Sequence, residues 1–127
     1  MSAFTKTILF TDTDGRSRFR EEAIDLAEGT RQMQLSPVFA SSGYRLRQSP
    51  VGFNYDFHCS SSPMWVVILR GQLEITLQDG SSRLFKPGDC FLSENVVPPG
   101  ADFDPHVHGH ASRQVGSDPL VTMFVRL

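Results

Sequence analysis

The sequence has few cysteines, no long apolar run and almost no net charge. Its two cysteines, Cys59 and Cys90, are too few for a disulfide framework. The longest apolar run, 64–69, is far shorter than a segment that spans a bilayer. The apolar triplet at 8–10 is too short for the core of a signal peptide. We therefore expect a cytoplasmic protein with reduced thiols and no membrane association.

Charge and composition restrict the partners further. The formal net charge is -2 and no basic run occurs, so we expect no nucleic-acid partner. Apolar residues make up 39% and charged residues 20% of 127 residues, which is ordinary for a globular protein. The chain also lacks internal repeats. These features predict one domain over 1–127.

Short β-strands separated by turn residues dominate the pattern. Residues 64–69 read as a buried strand, and Leu73, Ile75 and Leu77 alternate with polar residues as in a half-buried one. Asp79-Gly80 is typical of a tight hairpin turn. Further strands are predicted at 44–47, 53–58, 83–86, 90–93 and 120–127. The pattern indicates an all-β barrel or sandwich.

A long loop is predicted at 96–109. It contains Pro98, Pro99, Gly100 and Pro105 and has little periodicity. Loops of this length are uncommon inside compact domains and often act as lids or binding loops. The loop also holds two of the four histidines, so we expect it to be a functional insertion.

Two motifs resemble those of the cupin family. Gly52 is followed by five residues and His58, and Gly71 ends this first motif. The second motif contains Gly80, a Pro-Gly-Asp turn at 87–89 and Gly109-His110. The resemblance implies a cupin-type jelly-roll barrel, also called a double-stranded β-helix. Its core would span 44–127, with N-terminal strands and connections in 1–43.

The resemblance is incomplete at the metal site that such barrels usually hold. Three histidines and one glutamate bind the metal in the family, and His58 and His110 occupy two of these positions. The second histidine position of the first motif falls on Ser60, and the glutamate position falls on Met64. Gln114 stands where the second motif has Asn. The resemblance therefore implies only His58 and His110 as metal ligands.

Other residues offer two ways to rebuild a metal site. Strand alternation places Asp56 on the face of His58, so Asp56, His58 and His110 would form a two-histidine, one-carboxylate set for iron. His106, His108 and His110 also alternate, and such a cluster suits zinc, nickel or copper. The candidate cofactor is thus a divalent transition metal: iron, manganese, zinc or nickel. The missing ligands equally fit a cupin that binds no metal.

Three functions follow from these features. The first is a protein that binds a small molecule in the barrel, with a degenerate or rearranged metal site and a pocket lined by Ser60, Met64, Tyr55 and Phe91. The second is a cupin enzyme of dioxygenase or isomerase type that uses His58 and His110, with His58 as general base in the metal-free case. The third is a scaffold that forms dimers.

The N-terminal region leaves one local choice and suggests an assembly. Residues 17–28 have helical spacing, with Ser17 as a candidate N-cap and Gly29 as a stop. The cupin resemblance favours an extended strand instead, and we predict a strand. A homodimer is expected, because small cupins are commonly dimers, and residues 8–10 would pair across its subunits.

Overall fold

The structure is a computed structural model and describes residues 2–127. These residues form twelve β-strands and no helix. The strands are β1 (Ala3–Thr11), β2 (Ser17–Asp25), β3 (Glu28–Gly29), β4 (Gln34–Leu35), β5 (Gly43–Ser49), β6 (Asn54–His58), β7 (Met64–Arg70), β8 (Gln72–Thr76), β9 (Ser82–Phe85), β10 (Cys90–Glu94), β11 (His110–Val115) and β12 (Leu120–Arg126).

Eight of these strands form a jelly roll. One sheet contains β5, β12, β7 and β10 as neighbours in that order, and the facing sheet contains β6, β11, β8 and β9. The chain crosses from one sheet to the other at every connection from β5 to β12 except the β8–β9 hairpin. Two interlocked Greek keys with this strand order define a jelly roll. The predicted all-β fold is therefore confirmed.

The N-terminal strands extend the first sheet. β1 pairs parallel with β10 and antiparallel with β2, so the full order is β2-β1-β10-β7-β12-β5. The strand prediction for 17–28 is confirmed over Ser17–Asp25, because nine residue pairs with β1 outweigh the local helical spacing. Both edges of β1 are occupied within the chain. Residues 8–10 thus have no free edge for the intersubunit pairing that the sequence suggested.

The apolar core lies between the two sheets. It contains Leu9, Val66, Ile68, Leu73, Ile75, Leu77, Phe85, Phe91 and Leu120. These side chains alternate with outward-facing residues along their strands, as in β8, where Leu73 and Ile75 are buried. The Phe85 and Phe91 rings pack together with centroids 4.6 Å apart. Burial of these aromatic and branched side chains holds the sheets together.

The predicted loop connects β10 to β11 without a helix or strand over 96–109. It ends at Gly109, whose φ is 84°. A Cβ at this position would overlap the backbone of His58, so only glycine lets β11 approach β6 so closely here. Within residues 2–127 no helix is long and apolar enough to cross a membrane.

Candidate functional site

A cavity of about 300 Å³ lies between the two sheets of the jelly roll. Its apolar lining comes mainly from the strands of the core: Met64, Val66, Leu73, Ile75, Phe91 and Phe124. Its uncharged polar lining consists of His58, Ser60, Ser61, Ser93, His110 and Ser112. Three arginines complete it: Arg45, Arg47 and Arg126. An apolar region with a few convergent polar groups is typical of small-molecule sites.

His58 and His110 face each other across β6 and β11. They are directly paired in the register of these strands, and their ring centroids are 4.5 Å apart. His58 Nδ1 donates to the carbonyl oxygen of Asp56 at 2.7 Å, since that oxygen can only accept. Each neutral ring with a proton on Nδ1 leaves Nε2 as an acceptor. The strand pairing thus delivers two imidazoles to one cavity.

Burial keeps both imidazoles uncharged near neutral pH. Desolvation, with the nearby His58, lowers the pKa of His110 from 6.5 to about 3. Desolvation also lowers the pKa of His58, and the positive charge of Arg47 lowers it further. The hydrogen bond to the Asp56 carbonyl opposes this shift, because it raises the pKa. Neutral imidazoles accept hydrogen bonds or protons, so the pair presents bases rather than positive charges.

Asn95 fixes the orientation of His110. Its side chain is fully buried, and its Oδ1 accepts from His110 Nδ1 at 2.7 Å. Asn95 Nδ2 donates to the hydroxyl of Thr11 at 2.8 Å, and its backbone oxygen accepts from the Ser60 amide at 2.7 Å. Ser17 also contacts Asn95 Oδ1 at 3.0 Å. One buried amide therefore ties the N-terminal strands to the site.

The residues around the cavity do not fit the metal centre that the sequence suggested. Within residues 2–127, no three His, Cys, Asp or Glu side chains come together as a metal-binding group. The cavity lining offers two imidazoles, the thioether of Met64 and serine hydroxyls. Iron and manganese favour carboxylates alongside imidazoles, and a thioether does not replace one. We therefore derive no metal-dependent step for this site.

Asp56 does not supply the missing carboxylate. The pairing of β6 with β11 shifts by one residue between His110 and Ser112, so that Ser112 lies opposite Tyr55. Residues opposite each other share a face of the sheet, and Ser112 lines the cavity. This β-bulge breaks the simple alternation that placed Asp56 beside His58. Asp56 is exposed and absent from the lining, so the predicted Asp56–His58–His110 set is wrong.

The predicted cluster of His106, His108 and His110 is also not formed. His106 is exposed, whereas His108 is buried outside the cavity lining. His108 Nδ1 accepts the backbone amide of Asp104 at 2.9 Å, within a turn of the long loop. The turn at 105–107 replaces the extended backbone on which the alternation depended. His108 is therefore a buried structural residue of the loop.

Of the four predicted pocket residues, Ser60, Met64 and Phe91 line the cavity. Ser60 Oγ bonds to Ser93 Oγ at 2.6 Å. The fourth, Tyr55, is half exposed and lies outside the lining, but its ring packs on His58 with centroids 4.0 Å apart. Positions 60 and 64 thus surround the site as ligand positions would, with side chains of different chemistry.

Sequence reasoning missed the three arginines and Asn95. Arg45 and Arg47 alternate with Tyr44 and Leu46 on β5, and such a pattern ordinarily buries the apolar side chains. Here the arginines and not the apolar residues line the cavity, since Tyr44 and Leu46 are 73% and 61% exposed, although Arg45 is itself exposed. Nothing in the local pattern marks this reversal. Asn95 follows β10 directly and carries no local signal either.

Comparisons with known proteins found similar chains among solved structures only. No family model matches the chain, and no curated protein is similar to it. The chain is similar to the cupin domain of Cnp3 from Schizosaccharomyces pombe, with 15% identity and a TM-score of 0.48 over 98% of this chain and 83% of that one. An RmlC-like cupin protein from Desulfovibrio desulfuricans is 9% identical, with a TM-score of 0.42 over 98% and 81%.

A third solved structure is a putative mannose-6-phosphate isomerase from Ralstonia eutropha. It is 20% identical, with a TM-score of 0.35 over 98% of this chain and 83% of that one. The strand order of the two sheets decides the fold of this chain. It is a jelly roll, the barrel that the resemblance to cupins implies. A jelly roll specifies no reaction by itself, since function depends on the site and not on the barrel.

Proposed function

We propose that this small cupin binds a small organic molecule in its barrel cavity, through hydrogen bonds and apolar contacts rather than through a metal. The observation that supports this is that one cavity of about 300 Å³ combines an apolar lining with imidazole nitrogens that can accept hydrogen bonds. His58 and His110 have their Nδ1 protons bonded to protein oxygens, so each Nε2 is available for a ligand. Serine hydroxyls add groups that both donate and accept.

The degenerate ligand set supports the same proposal. Ser60 and Met64 line the cavity at the two positions where the cupin motif has a histidine and a glutamate. A hydroxyl and a thioether there are uncharged and bind metal less well than an imidazole and a carboxylate do. These substitutions suit direct contact with an organic ligand.

The test is native mass spectrometry of purified protein beside a variant with a blocked cavity. Ser61 is exposed and lines the cavity, so Ser61→Trp should fill it without disturbing the core. Ser82→Trp, on β9 and outside the lining, is the matched control. We expect a small molecule bound to wild type and to Ser82→Trp, released on denaturation and absent from Ser61→Trp. The proposal fails if wild type carries no ligand and no fraction of a small-molecule extract stabilises it.

Isomerase chemistry is the second candidate, supported by the uncharged imidazole of His58. A base that is unprotonated at neutral pH, with its other nitrogen held by a carbonyl, is suited to proton transfer. Incubating the bound ligand with the protein in D₂O distinguishes catalysis from binding. Deuterium incorporation by wild type but not by His58→Gln would establish an enzyme. No incorporation above the protein-free rate would leave a binding protein.

A further inference from the structure

The cavity has a positively charged side that the histidine pair does not explain. Arg45 and Arg47 on β5 and Arg126 on the neighbouring β12 all line it, and the lining contains no Asp or Glu. Because His58 and His110 are neutral, the three guanidinium groups set the charge of the cavity. Three positive charges at one side of a small cavity favour an anion.

None of these arginines is neutralised within residues 2–127. The ion pairs of the structure hold five other arginines against carboxylates: Arg18, Arg20, Arg70, Arg83 and Arg113. Arg45, Arg47 and Arg126 line the cavity without an acidic partner, Arg47 partly buried and the other two exposed. The charge of these three side chains is therefore available to a ligand in the cavity.

Arg47 is held in place by aromatic rings. Its guanidinium carbon lies 5.1 Å from the Phe53 ring centroid and 4.9 Å from that of Phe124. Contacts of this length with two ring faces restrict the long side chain and stabilise its charge. A restricted arginine loses less conformational entropy when it binds an acceptor than a free one does.

Arg47 also has an unmet need for a hydrogen-bond acceptor. Its Nε is buried and has no partner, and burial lowers its pKa, which reflects the cost of removing this cation from water. Thr122, directly opposite Arg47 in the pairing of β12 with β5, has a buried Oγ1 that also lacks a partner. Within residues 2–127 these are the only two such side-chain atoms, and buried unpaired polar atoms are rare.

The three arginines and the apolar lining of the same cavity together point to an amphipathic ligand. We propose that the cavity binds a small organic anion, with a carboxylate or phosphate group against Arg45, Arg47 and Arg126 and an apolar part against Val66, Ile75 and Phe91. Charge-assisted bonds from guanidinium groups match either anionic group. The inference rests on the proposed function and specifies its ligand class.

An edge strand gives the arginines another explanation, which the test must separate. β5 pairs only with β12, and inward-pointing charges on an edge strand discourage pairing with other chains. If that were their purpose, removing a charge would promote aggregation and leave ligand affinity unchanged. If the arginines bind an anion, removing one charge would lower the affinity for anions and leave the affinity for uncharged analogues unchanged.

The experiment compares matched probes by isothermal titration calorimetry at low salt. Hexanoate and hexyl phosphate carry the two anionic groups, and hexanamide is the uncharged analogue. We expect hexanoate or hexyl phosphate to bind at least tenfold more tightly than hexanamide. The affinity for that anion should fall as the salt concentration rises. Arg47→Gln and Arg126→Gln should each remove most of this preference, while Arg47→Lys retains part of it. Arg31→Gln, an exposed arginine outside the lining, should leave it unchanged.

The outcomes separate the two proposals. Preference for hexanoate or for hexyl phosphate identifies the anionic group. Equal affinity for acid and amide overturns the anion inference but keeps the proposed function. Unchanged affinity in folded Arg47→Gln and Arg126→Gln also overturns it, and accompanying aggregation would assign the arginines to edge protection. Failure of all three probes, in a protein that purifies without a bound acid, overturns it as well.

Discussion

At the scale of single residues, two buried amides connect separate segments of the jelly roll, one of them at the site and one away from it. Asn95 orients His110 through its Oδ1. Gln114 Oε1 accepts from the Gly52 amide at 2.9 Å, and its Nε2 donates to the carbonyl oxygens of Gly116 and Asp118 at 2.7 and 2.8 Å. Gln114 thus joins the turn before β6 to the turn before β12. Both residues are satisfied donors and acceptors, which is what burial of an amide requires.

A pH dependence of stability follows from His110. Its pKa is lowered from 6.5 to about 3 by burial, so between these values the unfolded chain binds the proton more readily. The free energy of unfolding should therefore fall as the pH is lowered through and below about 6.5, by up to about 1.4 kcal/mol per pH unit. His58, whose pKa is lowered in the same direction, adds to the effect. Above pH 7 neither group contributes a slope.

Urea unfolding at pH 7, 6 and 5 measures this slope above the range in which most carboxylates titrate. His110→Gln keeps a donor for Asn95 but cannot ionise, so its slope should be smaller than that of wild type. His106→Gln is the matched control, because His106 is exposed. Equal slopes in wild type and His110→Gln would contradict the prediction.

At the scale of elements, strands were predictable and the faces of two of them were not. Periodicity and turn residues located β5 to β10 and β12 to within about two residues, because alternation and Gly or Pro punctuation are local properties, whereas no strand was predicted at β11. The bulge between β6 and β11 depends on pairing between distant segments, and it excludes Asp56 from the site. Which face of β5 lines the cavity likewise depends on its pairing with the distant strand β12, and the local sequence does not show this pairing. His58, His110, Ser60 and Met64 could be placed because a motif fixed their spacing.

The strand geometry predicts that a metal site can be restored by substitution. Ser60 and Met64 line the same cavity as His58 and His110. Ser60→His with Met64→Glu would supply three imidazoles and one carboxylate, a set that binds divalent transition metals. We expect the double variant to retain about one equivalent of Ni²⁺ or Co²⁺ per chain after desalting, and wild type to retain less than about a tenth.

Metal content by mass spectrometry checks this result. Ser62→His with Leu69→Glu is the matched control, since it adds the same side chains on the same segment at positions outside the lining. No gain over this control would show that positions 60 and 64 do not converge on the histidine pair. Stoichiometric metal in wild type would contradict our conclusion that its own donor set does not fit.

At the scale of the whole molecule, the two flanks of the large sheet differ. The β2 flank is covered with charged side chains that form ion pairs, such as Arg20 with Glu22 and Arg83 with Glu21. The opposite flank ends at β5, which has a free edge, and the segment before it exposes apolar side chains. We call residues 38–46 the apolar flank. It exposes Val38, Phe39, Tyr44 and Leu46, with Val38 at 98%.

The apolar flank is where we predict that a second copy of the chain binds. A free strand edge beside exposed apolar residues favours two-fold pairing of identical surfaces, and an uncovered patch of this kind is a liability in a monomer. Val38→Asp and Leu46→Asp should each shift the mass measured by sedimentation equilibrium from dimer to monomer at micromolar concentration. Leu84→Asp, at an exposed apolar position on β9 in the other sheet, should not change the mass.

Wild type that is monomeric throughout this range would exclude the dimer. A dimer that both flank variants retain would place the interface elsewhere, because a buried aspartate at either position would separate the subunits.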